Sequence, residues 1–357
     1  MSPSNTVADF GLVLPENQHI CCPECRDVVS DDGETPIEEL SRDRCKLVRG
    51  SNGLNTRLKK MSRRRELSDL NHLSSYEKFA IESIRNWEPM KGKRALLCGL
   101  TYYKQKYSLK GPDYDVSSMR ELLMSRFLFP SSSIRILSEV DQHLLPTKRN
   151  IQEALRWLVK DNQDGDSLVF YFSGHGFRLP DFFDDELDGF NEMICPLDYT
   201  TAGVIIDNEI NDTIVRPLRK GVKLHVIVDA CHSGTILDLS HVYNTKMSKW
   251  LDNSPPSGVY KGTSGGHAIS ISACEDHQFA LESSVRKQME GVMTYTFRKA
   301  IAENRRVTYA GLLASMHNDM LEVKAKCSRL CNFFRSERLQ VWLGFHLLSP
   351  DLSSSIC

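Results

Sequence analysis

Two short segments carry residues able to do nucleophilic chemistry. The apolar run SLVFYF leads into Ser173-Gly174-His175-Gly176, and KLHVIV leads into Asp229-Ala230-Cys231-His232-Ser233-Gly234. A thiol is mostly protonated at neutral pH and needs a neighbouring base to become a nucleophile. If the two runs are neighbours, His175 can activate Cys231 and then protonate a leaving amine. The backbone N–H groups of Gly176 and Cys231 are the natural oxyanion donors, and the glycines allow close backbone approach. Taken singly, a cysteine after a strand is most often core packing and a histidine a satisfied polar group. Together, both at strand ends and both flanked by glycine, they favour a catalytic pair, with His232 left as a structural neighbour.

These residues need a scaffold that brings two strand ends together. Segments 94–100, 134–137, 167–172, 223–228, 268–273 and 339–345 read as strands, most of them nearly all apolar, as strands covered on both faces should be. Helical spacing is found at 116–127, 148–159, 294–303 and 309–323. The alternation predicts an α/β sandwich with a mostly parallel central sheet, in which functional groups collect beyond the carboxyl ends of strands. Residues 1–88 are polar and read as a largely disordered leader, with some helical spacing over 69–87 (Leu70, Leu73, Phe79, Ile81, Ile84). The domain is expected over 89–350, in a large half (about 91–245), a linker (246–265) and a small half (266–350).

Bulk properties exclude several classes. A net charge of -1 over 357 residues gives no pull toward nucleic acid or anionic membrane. The first residues, MSPSNTVADFGLVLPENQ, lack a basic start followed by an apolar run, and no stretch is long enough to span a bilayer. Eleven scattered cysteines then read as reduced thiols, so a cytoplasmic or nuclear location is expected. No phosphate-binding or dinucleotide glycine motif is present.

YFSGHG and DACHSG, in this order and spacing, resemble the metacaspases, caspase-like peptidases of plants, fungi and protists. ALLCGLTYY, LKGPDYDV, DELDGFNEMICPLDY and ISISACEDHQFALE extend the resemblance over about 91–348. His175 precedes Cys231 by 56 positions, near the caspase spacing of roughly 50. The short interval between Cys231 and ISISACED is similar to the type I subclass. The resemblance implies a caspase-like three-layer fold, cysteine endopeptidase activity on protein substrates, a monomer, and cleavage after Arg or Lys. By motif position Asp115, Ser173 and Asp229 match the specificity pocket, where carboxylates would partner a guanidinium or ammonium. Read from residue type alone, Asp115 is a helix-start aspartate and Asp229 a hydrogen-bonded strand end. The family usually has Cys and Asn where this chain has Pro112 and Tyr114.

The resemblance also implies calcium, with Asn191, Asp207, Asn208 and Asp238 at the ligand positions. Two of these are Asn where the family has carboxylates, which predicts weaker binding. The nearby run Asp184, Asp185, Glu186 and Asp188 reads as a solvated loop. Cys22-Pro23-Glu24-Cys25 is half of a zinc spacing, and with only Cys45 and His19 beside it a lost finger is expected rather than bound zinc. The basic cluster Lys59–Arg65 and the linker residues Lys246, Lys249 and Lys261 are candidate self-cleavage sites; a solvated linker is the plainer reading of the first. The alternative to an enzyme is a weakly active or inactive relative serving as a regulatory scaffold. Intact His175 and Cys231 speak against it.

Overall fold

The computed structural model describes residues 73–141, 144–182, 184–244, 249–273, 282–285, 288–304, 307–327 and 342–346. The disordered leader expected over 1–88, Cys22, Cys25, Cys45, the basic cluster 59–65 and Lys246 lie outside them, except for residues 73–88.

The first element is α1 (Ser75–Arg85). It opens with a capping box in which Ser74 Oγ accepts the Glu77 N–H at 3.3 Å and Glu77 Oε2 accepts the Ser74 N–H at 2.8 Å. It buries Ala80, Ile81 and Ile84, whereas Phe79, expected on the inner face, is exposed. Then follow β1 (Lys93–Gly99), α2 (Pro112–Ser125), β2 (Ile134–Ser138), α3 (Lys148–Val159) and β3 (Ser167–Ser173). Next come β4 (Gly176–Pro180), β5 (Phe190–Ile194), β6 (Ile205–Ile206), β7 (Lys223–Asp229), β8 (His241–Asn244), β9 (Lys249–Asp252) and β10 (His267–Ser272). The small half is β11 (Glu282–Val285), β12 (Gln288–Gly291), α4 (Val292–Glu303), α5 (Tyr309–Cys327) and β13 (Trp342–His346).

The main sheet runs β2-β1-β3-β7-β10-β13-β8-β9, with the first five strands parallel and the rest antiparallel. Side chains alternate along each strand, so two separate cores form. Leu96, Cys98, Leu168, Phe170, Phe172, Leu224 and Val226 face α3 and its Ile151, Leu155 and Leu158. Ala95, Leu97, Val169, Tyr171, Ile227 and Ile269 face α2, α4 and α5 through Met119, Leu123, Phe297 and Leu312. Helices on both faces of a mostly parallel sheet are the architecture expected.

The differences lie at the edges. Helix α2 starts at Pro112 rather than Val116, because proline is pre-organised for the first helical turn and lacks only an N–H that would be unpaired there. A small antiparallel sheet, β4-β5-β6, and the β8–β9 hairpin were not expected. The domain also begins before residue 89. Helix α1 packs on α3, where Arg85 Nη2 meets Glu153 Oε1 at 2.7 Å and Trp87 meets Trp157 edge-on with centroids 5.4 Å apart. Among the described residues no helix is long and apolar enough to cross a membrane.

Candidate active site

The register of the parallel strands sets the geometry. Gly99 of β1 is level with Ser173 of β3, which is level with Asp229 of β7. His175 and Cys231 each lie two residues beyond that row, so they leave the same sheet edge from adjacent strands. The two exits touch. A Cβ on Gly176 would overlap the Cys231 carbonyl oxygen and stand 3.2 Å from the Ala230 Cβ, so only glycine fits. The Gly174 N–H donates to the Asp229 carbonyl at 3.3 Å, tying the turns together.

His175 is buried and held from several directions. Its Nε2 lies 2.7 Å from the Tyr107 carbonyl oxygen. A carbonyl only accepts, so Nε2 carries the proton and Nδ1 keeps the lone pair of a base. The Tyr102 ring packs against the imidazole at a tilt of 33°, with centroids 4.6 Å apart. The Tyr102 hydroxyl accepts the His175 N–H at 3.0 Å and donates to the Cys195 carbonyl at 2.7 Å. Tyr102 itself has left-handed backbone, φ 50°. Its turn is fixed by Glu139, at the end of β2, whose carboxylate accepts the N–H groups of Thr101 (2.6 Å), Tyr102 (2.6 Å) and Tyr103 (2.8 Å). Tyr102, Tyr107 and Glu139 escaped the sequence reading, although ALLCGLTYY was among its motifs. Tyr102→Phe keeps the ring and removes the hydroxyl that serves two buried backbone groups. We expect a loss of about 1–3 kcal/mol in urea unfolding.

Beside the pair lie two buried carboxylates. Asp115, in the first turn of α2, accepts from Ser173 Oγ (2.9 Å) and the Gly291 N–H (3.0 Å). Asp229 Oδ2 accepts the Thr294 N–H (2.9 Å) and Oγ–H (2.7 Å) at the start of α4, where the helix dipole favours a negative charge. Thr294 Oγ1 also lies 2.7 Å from the Tyr171 hydroxyl, which must then be its donor. A Cβ on Gly291 would overlap Asp229 and stand 3.1 Å from Asp115 Oδ2, so this glycine lies between the two acids. Burial, then the nearby charge of Asp229, hold the Asp115 carboxyl well above the usual range. Asp115, Ser173 and Asp229, the three residues matched by motif position, therefore meet, and Gly291 and Thr294 join them. Pro112 stands at the start of α2, and the Tyr114 ring lies 5.8 Å from Arg298, which pairs with Glu290 at 2.7 Å.

A second acidic cluster lies apart. Glu186, Asp207 and Asp238 bring one oxygen each within 4.8 Å of one another. Asp207 Oδ2 accepts the Glu192 N–H (2.5 Å) and Oδ1 the Asn208 N–H (2.6 Å). The expected ligands Asp207 and Asp238 belong to this cluster and Asn208 borders it; Asn191 stands behind, its Oδ1 accepting from Asn208 Nδ2 at 3.1 Å. Glu186, which the sequence placed in a solvated loop, is buried inside. Burial, then Asp238 and Asp207, push its carboxyl up to about 11. The donors are all oxygen, and Asp238 Oδ1 is buried without a hydrogen bond, so the set fits a hard divalent cation in kind. Lys261, one of the candidate self-cleavage sites, is buried here. Its Nζ reaches Asp238 at 2.7 Å, Asp185 at 3.0 Å, Glu186 at 3.4 Å, and Asn208 Oδ1.

A buried thiol and imidazole at the carboxyl edge of parallel strands, with helices on both faces, define a caspase-like α/β domain. Residues 93–240 match the family described as the metacaspase, peptidase C14 domain. Metacaspase-1 of Arabidopsis thaliana is 47% identical over 232 residues, 63% of either chain. Metacaspase-3 of the same plant is 44% identical over 245 residues, 67% of either chain. Its metacaspase-2 is 44% identical over 270 residues, 72% of this chain and 64% of the relative. The chain belongs to the metacaspase family, and these plant relatives fit the type I subclass. It spans just under two thirds of the length of metacaspase-1 and metacaspase-2.

Proposed function

We propose that this protein is a cysteine endopeptidase that cleaves protein substrates after Arg or Lys. The observation that carries the specificity is the buried pair Asp115 and Asp229 beside the nucleophile. Two carboxylates in a low-dielectric pocket favour a cation and disfavour an anionic side chain. His175 Nδ1 takes the Cys231 proton, and the thiolate attacks the scissile carbonyl carbon. The oxyanion is received by the N–H groups of Gly176 and Cys231. The C–N bond then breaks, the leaving amine takes the proton from His175, and a thioester remains on Cys231. Water activated by His175 hydrolyses it, releasing the acid and restoring the thiol.

Self-processing is part of the proposal. Lys249, exposed at the start of β9, is a reachable site, whereas buried Lys261 is not. Calcium is proposed as activator, held by Glu186, Asp207, Asp238 and the Asn208 amide oxygen, where it would supply charge neutralisation. The test is hydrolysis of two fluorogenic peptides differing only in Arg or Asp before the scissile bond, with calcium and with chelator. Arg-directed cleavage that disappears in Cys231→Ala supports the reading. Silence toward both peptides from folded protein with calcium would favour the regulatory scaffold.

A further inference from the structure

We propose that Lys261 is a tethered cation latch: its ammonium holds the position a divalent cation would take, and calcium can bind there only by displacing it. This rests on the calcium reading of the Glu186–Asp207–Asp238 cluster and is independent of peptidase activity.

Lys261 is 7% exposed, an uncommon state for a lysine, and every side-chain partner named for it above is an acid or an amide oxygen. Its Nζ lies 2.7 Å from Asp238 Oδ2 and 3.0 Å from Asp185 Oδ2, so the ammonium stands where a cation's charge is called for in the cluster. Unlike calcium, it brings a length of chain with it.

That chain is the irregular segment 253–266. Its ends are held by the Asn253 N–H, which donates to the Ser240 carbonyl (2.8 Å), and by the Gly266 N–H, which donates to the Leu218 carbonyl (3.1 Å). The Ser257 N–H donates to the Asp184 carbonyl (2.9 Å), Arg216 Nη2 to the Tyr260 carbonyl (2.8 Å), and Ser264 Oγ to the Arg216 carbonyl (2.7 Å). The Lys261 ion pairs add a buried side-chain anchor to these. Beside them, Asn211 Nδ2 donates to both the Lys261 carbonyl and the Leu237 carbonyl, each at 2.8 Å. Leu237 precedes the ligand Asp238, and both lie on the stretch that follows Cys231. The same amide thus fastens the linker and the chain downstream of the nucleophile, so withdrawal of Lys261 alters a contact shared with that chain.

A tethered competitor raises the calcium concentration needed for binding, because its local concentration is fixed by the chain. Full-length Cys231→Ala protein, which cannot process itself, is titrated with calcium by calorimetry beside the same protein carrying Lys261→Met. Removing the ammonium should tighten calcium binding by about tenfold or more. In a second arm, a lysine-specific endopeptidase is applied to the Cys231→Ala protein in chelator, in magnesium and in saturating calcium. Cutting after Lys261 should accelerate in calcium alone. Equal affinity in the two proteins, no calcium uptake by either, or a Lys261 bond as protected in calcium as in chelator would each overturn the latch. If Lys261→Met does not fold in chelator, the endopeptidase arm on the parent decides.

Discussion

Asp115→Asn should lose cleavage after Arg while gaining stability. Removing one member of a buried charge-recognition pair costs about 2–5 kcal/mol of binding, or roughly 30- to 4000-fold in kcat/KM on an Arg peptide. The stability change has the opposite sign. Burial and Asp229 raise the folded pKa of Asp115, so wild type is most favoured below the unfolded value of about 3.9. It loses that advantage as pH rises toward the folded value. Asparagine does not titrate. The variant should therefore gain on wild type in urea unfolding at pH 8 and much less at pH 5. In wild type the same shift makes KM for an Arg peptide rise as pH falls, because protonation removes the charge the guanidinium seeks. A variant that cleaves Arg peptides normally would remove Asp115 from the pocket.

Gly176→Ala should be nearly inactive despite adding one methyl group. Its Cβ would meet the Cys231 carbonyl oxygen, a backbone atom with no rotamer to retreat into. Relief requires the two strand exits to separate, and a misplacement of about 1 Å at reacting groups can cost on the order of 100-fold. Steady-state kinetics with circular dichroism as a fold control would check this. Retained activity would mean that the thiol and imidazole tolerate more play than the register implies.

The parallel core was legible because its strands are short, apolar runs ending in unusual residues, and their alternation with helices leaves few topologies. The adjacency of His175 and Cys231 followed from those ends. The cluster around Asp115 and Asp229 was legible only on the large-half side. Ser173 and Asp229 sit on neighbouring strands and Asp115 opens the first helix of the large half. Gly291 and Thr294 arrive from a helix start more than 60 positions beyond Asp229, where nothing local in the chain marks them. The hairpins β4–β5 and β8–β9 were missed because short, half-exposed strands lack a strong alternating pattern. The burial of Lys261 was hidden for a related reason. A lysine between Pro-, Ser- and Gly-rich stretches looks solvated, and only the fold reveals acids converging on it from 185–186 and 238.

The packing of α1 on α3 bears on what a matured enzyme would look like. A cut within Lys59–Arg65 would shed the preceding chain yet leave α1 attached, since its apolar face and the Arg85–Glu153 contact belong to the body. The product would carry a new amino terminus 8 to 14 residues ahead of Ser74. Shortening the chain to residue 89, just ahead of β1, would instead strip Ile84 and Trp87 from the surface of α3 and bare an apolar patch. Truncations for expression should keep the helix, and an antibody raised against it would report the body of the enzyme, not the released leader.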